Sequence, residues 1–280
     1  MKLRDLIERT SLKAAGRRIG LDIQVVDGQL RTRALDPDDP RYSTDFVLPS
    51  MRMVEACRAR DLSAFQPFIE AGLLTEAQMQ HAAKRYHLGQ TRSGLPMYWM
   101  IDEMLDPQDA HIAGDRWLST LLRQREPLLR GWHPTHCLYG LHLLLEEHVP
   151  QRPVAIVESE QSATVLSELF PETLWMAYAT PEHLDIERFA PLAGRTVTFY
   201  PRTDPGMSHF LLCEELAADL RRRYAIACSV DSTLEEHATE EQRDRCIDLV
   251  GMMMEAPEKP RSPLKGSGEA PEPPKGERRE

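Results

Sequence analysis

The second half of the chain alternates short apolar runs with amphipathic segments. The apolar runs cover 153–157, 174–180 and 196–201, and a fourth is "IACSVD" at 226–231. Helical patterns fill the intervals between them, at 161–169, in "LDIERFAPL" and in "SHFLLCEELAADLRRRY". Strands that alternate with helices predict right-handed crossovers and a mainly parallel sheet with flanking helices. The predicted fold class of this half is therefore α/β.

The first half of the chain mixes helical and extended patterns. A helical pattern ends at Gly20, and the segment that follows, "LDIQVVDGQLRTRAL", is typical of a hairpin with Asp27-Gly28 at its turn. Thr75 predicts the N-cap of a helix that runs to Gly89. Further along, "MYWMI" predicts an aromatic strand, Asp106-Pro107 a turn, and "DRWLSTLLRQ" a short helix or strand. We therefore expect a mixed α+β region before the parallel sheet.

These patterns divide the chain into four regions. They are an N-terminal region without a predicted role (1–70), a mixed α+β region (71–150), the α/β region (151–255) and a tail (256–280). The last helix of the α/β region is predicted to begin near Thr239, with Gln242 three positions later. The tail is rich in proline, glycine and charge, and this composition predicts disorder. A plain solvated tail is favoured over a tether to another protein.

Acidic residues follow two of the predicted parallel strands. Glu158 and Glu160 come directly after the first strand, and Asp204 lies in "YPRTDPG" after the third. Ligands of open parallel sheets bind beyond the carboxyl ends of the strands, so Glu158 and Asp204 could face one crevice. Carboxylates there can hold Mg²⁺, and one that does not bind metal can move a proton. Taken without any family knowledge, such residues are more often solvated than catalytic.

A resemblance to a known family rests on an ordered series of segments. They are "VAIVESEQSA", "LWMAYAT", "LAGRTVTFYPRTDPG" and "CIDLV", preceded by "AKRYHLGQTRSGLPMYWMID", "DRWLSTLL" and "CLYGLHLL". Residues 75–250 thereby resemble a Toprim-like family of bacterial mobile elements that is related to primase-like replication proteins. The first 70 residues do not take part in the resemblance.

The resemblance implies a site and an activity. Toprim domains carry a glutamate after the first strand and an Asp-x-Asp pair after a later one. By position, Glu158 would be the general acid or base and Asp204 a Mg²⁺ ligand, with Glu160 and Asp248 as helpers. The implied function is nucleotidyl or phosphodiester transfer with Mg²⁺ as cofactor. The implied partners are nucleic acid and the replication proteins of a mobile element.

The sequence departs from the family pattern at Arg202, where the first aspartate of the pair is expected. A guanidinium there brings positive charge towards a cation and cannot deprotonate, so metal affinity should fall. With Thr203 and the backbone near Gly206, the same arginine could instead hold a phosphate by charge-assisted hydrogen bonds. A surface arginine paired with Asp204 explains the residue equally well. The alternative function is therefore a non-catalytic interaction or phosphate-binding module that retains the Toprim-like fold.

Two other clusters have a functional and a structural interpretation. Arg116 and Arg123 flank Trp117, a combination that suits single-stranded nucleic acid, but the leucines around Trp117 favour a core stripe. The segment 133–142 contains three histidines and a cysteine that could bind zinc, although their spacing fits no ligand pattern and core positions are favoured. These four residues are His133, His136, Cys137 and His142. The run Arg221–Arg223 is best explained as cations that complement a helix C-terminus.

Composition narrows the function classes. The net charge is −10, so overall charge does not favour nucleic-acid binding, although local basic patches can still do so. Five scattered cysteines without a CxxC pair argue against a disulfide framework. The chain contains no apolar run long enough to span a membrane and no signal-peptide pattern, so we expect a cytoplasmic protein. Since no P-loop and no GxSxG motif is present, a motor ATPase and an α/β-hydrolase are disfavoured.

Overall fold

The computed structural model describes residues 21–26, 29–34, 49–114, 116–125, 134, 136–146, 152–181 and 184–255. For 21–34 and for Arg125 it describes the backbone alone. The predicted tail, the helix ending at Gly20 and the turn at Asp27-Gly28 lie outside these residues. Strands β1 (Leu21–Val26) and β2 (Gln29–Ala34) pair antiparallel with Val26 opposite Gln29, which confirms the predicted hairpin.

Within the described residues, three short helices precede the first larger sheet. They are α1 (Met51–Ala56), α2 (Gln66–Glu70), which follows a 3-10 turn at Ser63–Phe65, and α3 (Glu76–Arg85). The predicted start of α3 is confirmed by a capping box, in which Thr75 and Gln78 exchange side-chain and backbone hydrogen bonds. The predicted end at Gly89 is wrong, because α3 ends at Arg85 and Gly89 pairs with Met97 in the next sheet.

The middle of the chain forms an antiparallel sheet. Its strands are β3 (Gly89–Gln90), β4 (Pro96–Ile101), β5 (Pro107–Ile112) and β6 (Arg116–Trp117), hydrogen-bonded in that order and followed by α4 (Leu118–Arg125). The predicted aromatic strand is β4, whose Met97 to Ile101 are all buried. The segment "DRWLSTLLRQ" provides both a strand, β6, and a helix, α4. The predicted mixed α+β region is confirmed.

The second half of the chain forms the predicted parallel sheet. Strands β7 (Val154–Val157), β8 (Leu174–Ala177), β9 (Thr196–Phe199) and β10 (Ala227–Val230) lie in the order β10-β9-β7-β8, and all their pairings are parallel. Helix α5 (Glu160–Leu169) connects β7 to β8, a 3-10 segment (Ile186–Leu192) precedes β9, and α6 (Ser208–Tyr224) connects β9 to β10. The α/β class with flanking helices is confirmed.

Between β10 and residue 255, where the described part of the chain ends, three helices follow. They are α7 (Thr233–His237), α8 (Glu240–Asp244) and α9 (Leu249–Glu255). Thr239 and Gln242 form the predicted capping box, but α8 ends after five residues and the chain begins a second helix at Leu249. Within the described residues, no helix has the length and apolar character needed to cross a membrane.

The two larger sheets share one hydrophobic core. Tyr139 exchanges two backbone hydrogen bonds with Ala177 of β8, at 2.8 and 3.1 Å. The ring of Tyr86, from α3's end, stacks on that of Tyr139 with centroids 5.1 Å apart, and its hydroxyl donates to the carbonyl of Trp175 over 2.7 Å. Because both tyrosines are fully buried, this contact is part of a continuous core that runs from Phe65 to Val250. The sequence-based boundary at residue 150 therefore passes through shared packing.

A glycine in this shared packing gives a test of how tightly the sheets meet. Gly140 has φ +83°, and a Cβ added there would lie 2.9 Å from the Trp175 carbonyl oxygen and 3.0 Å from Tyr86 Cε1. Gly194 has a similar φ of +76°, but a Cβ there would meet nothing within 4 Å. We expect Gly194→Ala to lower the free energy of unfolding by about 1 kcal/mol through backbone strain alone. Gly140→Ala should lower it by about 3 kcal/mol, since overpacking adds to the strain.

Urea denaturation of both variants measures the difference. Equal losses would show that the sheets can move apart at this point without cost.

Candidate site at the carboxyl edge of the parallel sheet

The polar residues at the carboxyl ends of three parallel strands converge on one crevice. Glu158 follows β7, Tyr178 follows β8 and Arg202 lies three residues after β9. The connection from β7 leads to β8 on one side, whereas β9 lies on the other side of β7. Strand order therefore reverses between β7 and β9, and such switch points are where open α/β sheets bind ligands. Glu158 and Arg202 come from the two strands that border this point.

Glu158 lies at the centre of the crevice, where Arg202, His209 and Tyr178 contact it. Its Oε1 lies 3.2 Å from Arg202 Nη2, and its Oε2 lies 3.2 Å from His209 Nδ1. The Tyr178 hydroxyl donates a hydrogen bond to Oε2 over 3.3 Å. Burial raises the pKa of Tyr178 well above its ordinary value, so the phenol keeps the proton that it donates. The glutamate side chain is only 12% exposed, and its charge is compensated mainly by the guanidinium.

His209, in the first turn of α6, contacts both Arg202 and Glu158. Arg202 Nε donates to His209 Nε2 over 3.2 Å. Burial, and after it the positive charge of Arg202, lowers the pKa of His209 below its ordinary value, so the imidazole is neutral at pH 7. Since Nε2 accepts a hydrogen bond, the ring proton is assigned to Nδ1, which lies 3.2 Å from Glu158 Oε2 but forms no hydrogen bond with the described residues.

Asp204 is occupied by the start of α6. Its Oδ1 accepts from the backbone N–H of Gly206 and of Ser208 at 2.9 and 3.1 Å, and its Oδ2 accepts from that of His209 at 3.0 Å. Burial raises the pKa of this carboxyl, but the hydrogen bonds from His209, Ser208 and Gly206 outweigh it and lower the pKa to about 2. Asp204 thus satisfies helix donors that otherwise lack partners, as an N-cap residue does.

The other predicted residues of this loop differ in exposure. The Arg202 side chain is 37% exposed, and its partners are Glu158 and His209 rather than Asp204. Thr203 is fully buried, and its N–H donates to the carbonyl of Ile247 over 3.0 Å. Its hydroxyl has no hydrogen-bond partner among the described residues. A phosphate that contacts Arg202 would therefore not reach Thr203 in this arrangement.

Glu160 and Asp248, the two predicted helper ligands, have partners outside the crevice. Glu160 begins α5, is buried, and its Oε1 lies 2.6 Å from His111 Nδ1 of β5. Asp248 precedes α9, accepts a hydrogen bond from the hydroxyl of Ser162, and accepts another from the N–H of Gly251 over 2.8 Å. Both carboxylates thus connect α5 to neighbouring elements.

The predicted carboxylates do not form a Mg²⁺ ligand set in this arrangement. Glu158 is paired with a permanent cation, and both oxygens of Asp204 accept backbone hydrogen bonds. Mg²⁺ demands near-ideal octahedral oxygen ligands, and a guanidinium beside the first of them opposes its charge. Within the described part of the chain, no three or more His, Cys, Asp or Glu side chains are placed to hold a metal ion. The residues present therefore do not fit the implied cofactor.

A second polar cluster joins α5 to the antiparallel sheet. Trp117 of β6 stacks on the rings of His111 and His136, with centroids 4.8 and 4.2 Å apart. His111 contacts Glu160, and His136 Nε2 lies 2.9 Å from Oδ2 of Asp109, which is fully buried. Trp117 is thus already engaged by two imidazoles, and a stacking nucleobase would have to compete with them.

The predicted nucleic-acid contacts near Trp117 lie on β6 and α4. Arg116 is exposed and donates to the carbonyl of Ala113 over 3.3 Å. Arg123 donates to the Thr120 hydroxyl over 3.1 Å. The structure thus places both arginines in the antiparallel region of the protein.

The residues of the zinc alternative have separate partners. His136 pairs with Asp109, and His142 is buried with its Nε2 donating to the carbonyl of Arg85 over 3.1 Å. Burial lowers the pKa of His142 to about 4 and raises that of the Cys137 thiol. His133 lies outside the described residues. The favoured interpretation of core positions agrees with this geometry.

The arginine run at the end of α6 is used within the protein. Arg221 donates to the carbonyl of Cys228 over 2.7 Å, Arg222 pairs with Asp219, and Arg223 pairs with Glu187. All three lie in the last turn of α6, as the helix-dipole interpretation expects.

Two residues of the crevice, His209 and Tyr178, are missing from the sequence-based prediction. Tyr178 lies inside a run taken as strand, and its role becomes visible only when β8 ends at Ala177. His209 has a weak signal in the sequence, because it lies in the first turn of the helix that follows the Arg202 loop. A histidine in that position lies at the same edge of the sheet as the acids that follow the strands.

Comparison with known proteins places most of this region in one family. A family model described as "Domain of unknown function (DUF6371)" matches residues 63–203, just over half of the chain. The matched segment includes the antiparallel sheet, Glu158 and Arg202, and it ends before Asp204 and His209. No curated protein matches the chain.

The bonds of Asp204 predict a pH-dependent loss of stability in Asp204→Asn. The pKa of Asp204 is about 2 in the folded protein, below the ordinary value of 3.8, so its stabilising effect is complete above about pH 5 and is lost as the pH falls towards 2. We expect Asp204→Asn to lower the free energy of unfolding by about 2 kcal/mol at neutral pH. The difference from the parent should shrink steadily below about pH 4.

Urea unfolding between about pH 3 and pH 7 measures this difference. Asp61→Asn is the matched control, because exposed Asp61 also accepts a backbone hydrogen bond, from Ser63. The control should lose less than about 1 kcal/mol. A loss in Asp204→Asn that is equally small, or that does not change with pH, would contradict the assignment.

Proposed function

Since the chain belongs to the DUF6371 family, whose description assigns no activity, we propose a function from the geometry of the crevice: the protein binds nucleic-acid phosphates through Arg202 on a Toprim-like sheet. In this proposal it is a primase-related protein of mobile-element replication that recognises nucleic acid without Mg²⁺-dependent chemistry at this site. The proposal combines the two sequence-based hypotheses, by keeping the nucleic-acid ligand of the first and the non-catalytic site of the second.

One observation carries the proposal, namely the contact of Arg202 with Glu158 where the resemblance expects a metal ligand. A guanidinium has five N–H donors. Nε donates to His209 and Nη2 forms an ion pair with Glu158 Oε1 at 3.2 Å, while Nη1 has no hydrogen-bond partner among the described residues. With more than a third of the side chain exposed, these remaining donors can meet a phosphate from solvent.

The charges around the crevice limit the strength of this binding. Glu158 lies within 3.2 Å of the guanidinium and repels an approaching phosphate, and the chain carries a net charge of −10. Affinity should therefore be moderate and should fall steeply with salt, because phosphate contacts release counterions. Low salt is the condition in which the proposed activity is measurable.

Mg²⁺-dependent phosphoryl or nucleotidyl transfer is the second candidate. The position of Glu158 at the carboxyl end of the central strand β7 favours it, since this is where the resemblance implies a general acid or base. The engagement of Glu158 and Asp204 with protein partners makes it the weaker candidate.

The main test is oligonucleotide binding at low salt by parent and Arg202→Gln. We expect the parent to bind fluorescein-labelled single-stranded DNA equally well in Mg²⁺ and in EDTA, as no metal takes part. Arg202→Gln should bind about fivefold more weakly and show a salt slope shallower by about one, the signature of one lost phosphate contact.

Arg222→Gln is the matched control for this experiment. Arg222 is an exposed, paired arginine at the far end of α6, and its replacement should leave binding unchanged. If Arg202→Gln binds as tightly as the parent, or if binding needs Mg²⁺, the proposed function is wrong. Duplex DNA and RNA of the same sequence identify the preferred nucleic acid.

A calorimetric titration of Mg²⁺ and Mn²⁺ separates the two candidates. We expect no binding by the parent at millimolar metal, because Arg202 occupies the position of a ligand. Arg202→Asp should acquire binding, since it removes the opposing charge and adds a carboxylate beside Glu158. Metal binding by the parent that is lost in Glu158→Gln and in Asp204→Asn would instead support the catalytic candidate.

A further inference from the structure

We propose that His209 is a positioning residue of this site, which holds the Arg202 guanidinium in the orientation that binds phosphate. The inference rests on the proposed function and adds a residue that neither the sequence prediction nor the family match includes. It is drawn from the hydrogen bond between Arg202 Nε and His209 Nε2, at 3.2 Å. His209 is not proposed to touch the ligand, and its side chain is only 14% exposed.

The hydrogen bond that Arg202 makes within the described residues uses Nε, on one edge of its guanidinium. Nη2 lies 3.2 Å from Glu158 Oε1 as an ion pair. The Nη1/Nη2 edge donates no hydrogen bond to the described residues and offers its N–H groups to a ligand. Two parallel N–H donors on that edge match two oxygens of a phosphate.

Without His209, Glu158 can capture the guanidinium completely. A carboxylate prefers a bidentate arginine contact, and the Nη1/Nη2 edge offers one as readily as the Nε/Nη2 edge does. The hydrogen bond to His209 ties Nε to α6, and in this orientation Glu158 Oε1 contacts Nη2 as an ion pair at 3.2 Å and does not take a bidentate hydrogen bond. A phosphate then meets an arginine that is already ordered, which reduces the entropy lost on binding.

The position of His209 is itself fixed by Asp204. Asp204 Oδ2 accepts the backbone N–H of His209 over 3.0 Å, at the first turn of a 17-residue helix. Asp204 therefore orders His209, and His209 orders Arg202. Through these hydrogen bonds Asp204 contributes to the proposed phosphate site, although the site does not fit a metal ion.

The test is a double-mutant cycle on Arg202 and His209, with labelled single-stranded DNA at low salt as the probe. The proteins are the parent, Arg202→Gln, His209→Leu, the double variant and His209→Gln. We expect His209→Leu to weaken binding about three- to fivefold, and His209→Gln to retain it because the glutamine carbonyl can accept from Arg202 Nε. In the Arg202→Gln background, His209→Leu should change affinity by less than about 1.5-fold, since the residue acts through Arg202.

Each outcome of the cycle bears on one hypothesis. If Arg202→Gln binds like the parent, the proposed function fails, and this inference fails with it. If Arg202→Gln is weak but His209→Leu binds like the parent, the function stands and the positioning role is wrong. A loss from His209→Leu that is equal in both backgrounds also overturns it, because His209 would then act independently of Arg202. Thermal melting of every variant separates these effects from unfolding, and His209→Gln tests the role even if His209→Leu does not fold.

Discussion

The backbone pairing of Tyr139 with Ala177 is the constraint on which the rest of the molecule depends. It places a segment of the first half against β8, which would otherwise be an exposed edge of the parallel sheet. The stacked tyrosines Tyr86 and Tyr139 then fill the space between the sheets, and one core results. The family match across 63–203 includes both residues of this pairing. The two halves therefore form one packing unit, and the crevice at the β7 and β9 ends belongs to that unit.

A carboxylate in the position of Glu158 requires a positive partner. The side chain is largely buried, and an uncompensated charge there would be strongly unfavourable. A bound cation and an arginine can each supply this positive charge. They exclude each other because they would occupy the same space and because like charges repel. Arg202 supplies it permanently, whereas a metal would depend on its concentration. In the function that we propose, the choice between phosphate binding and Mg²⁺ chemistry at this edge follows from the identity of residue 202.

The sequence predicts the elements well and their contacts poorly. The periodicity of apolar residues and the positions of turn residues locate β7 to β10, α5 and α6 within a few residues. The capping boxes at Thr75 and Thr239 form where the sequence predicts them. The contact partners of individual side chains are not predicted by such patterns, because they depend on strand order and on which helix face packs against a sheet. His111 and Glu160 are 49 positions apart in the sequence, so no local sequence pattern predicts their contact. Likewise the sequence offers Asp204 as a partner for Arg202, whereas the fold gives this arginine Glu158 and His209.

Asp204 shows why a motif predicts the position of a residue better than its role. The second acid of the expected pair is present, and it lies on the predicted loop after β9. Its oxygens accept three backbone N–H groups of the α6 N-terminus, a use that needs the same negative charge and nearly the same geometry as a metal ligand. Within the described residues, Arg202 contacts Glu158 and His209, and the oxygens of Asp204 accept from the N–H groups at the start of α6. Because His209 is one of those donors, the carboxylate still contributes to the site, by ordering the residue that holds the arginine.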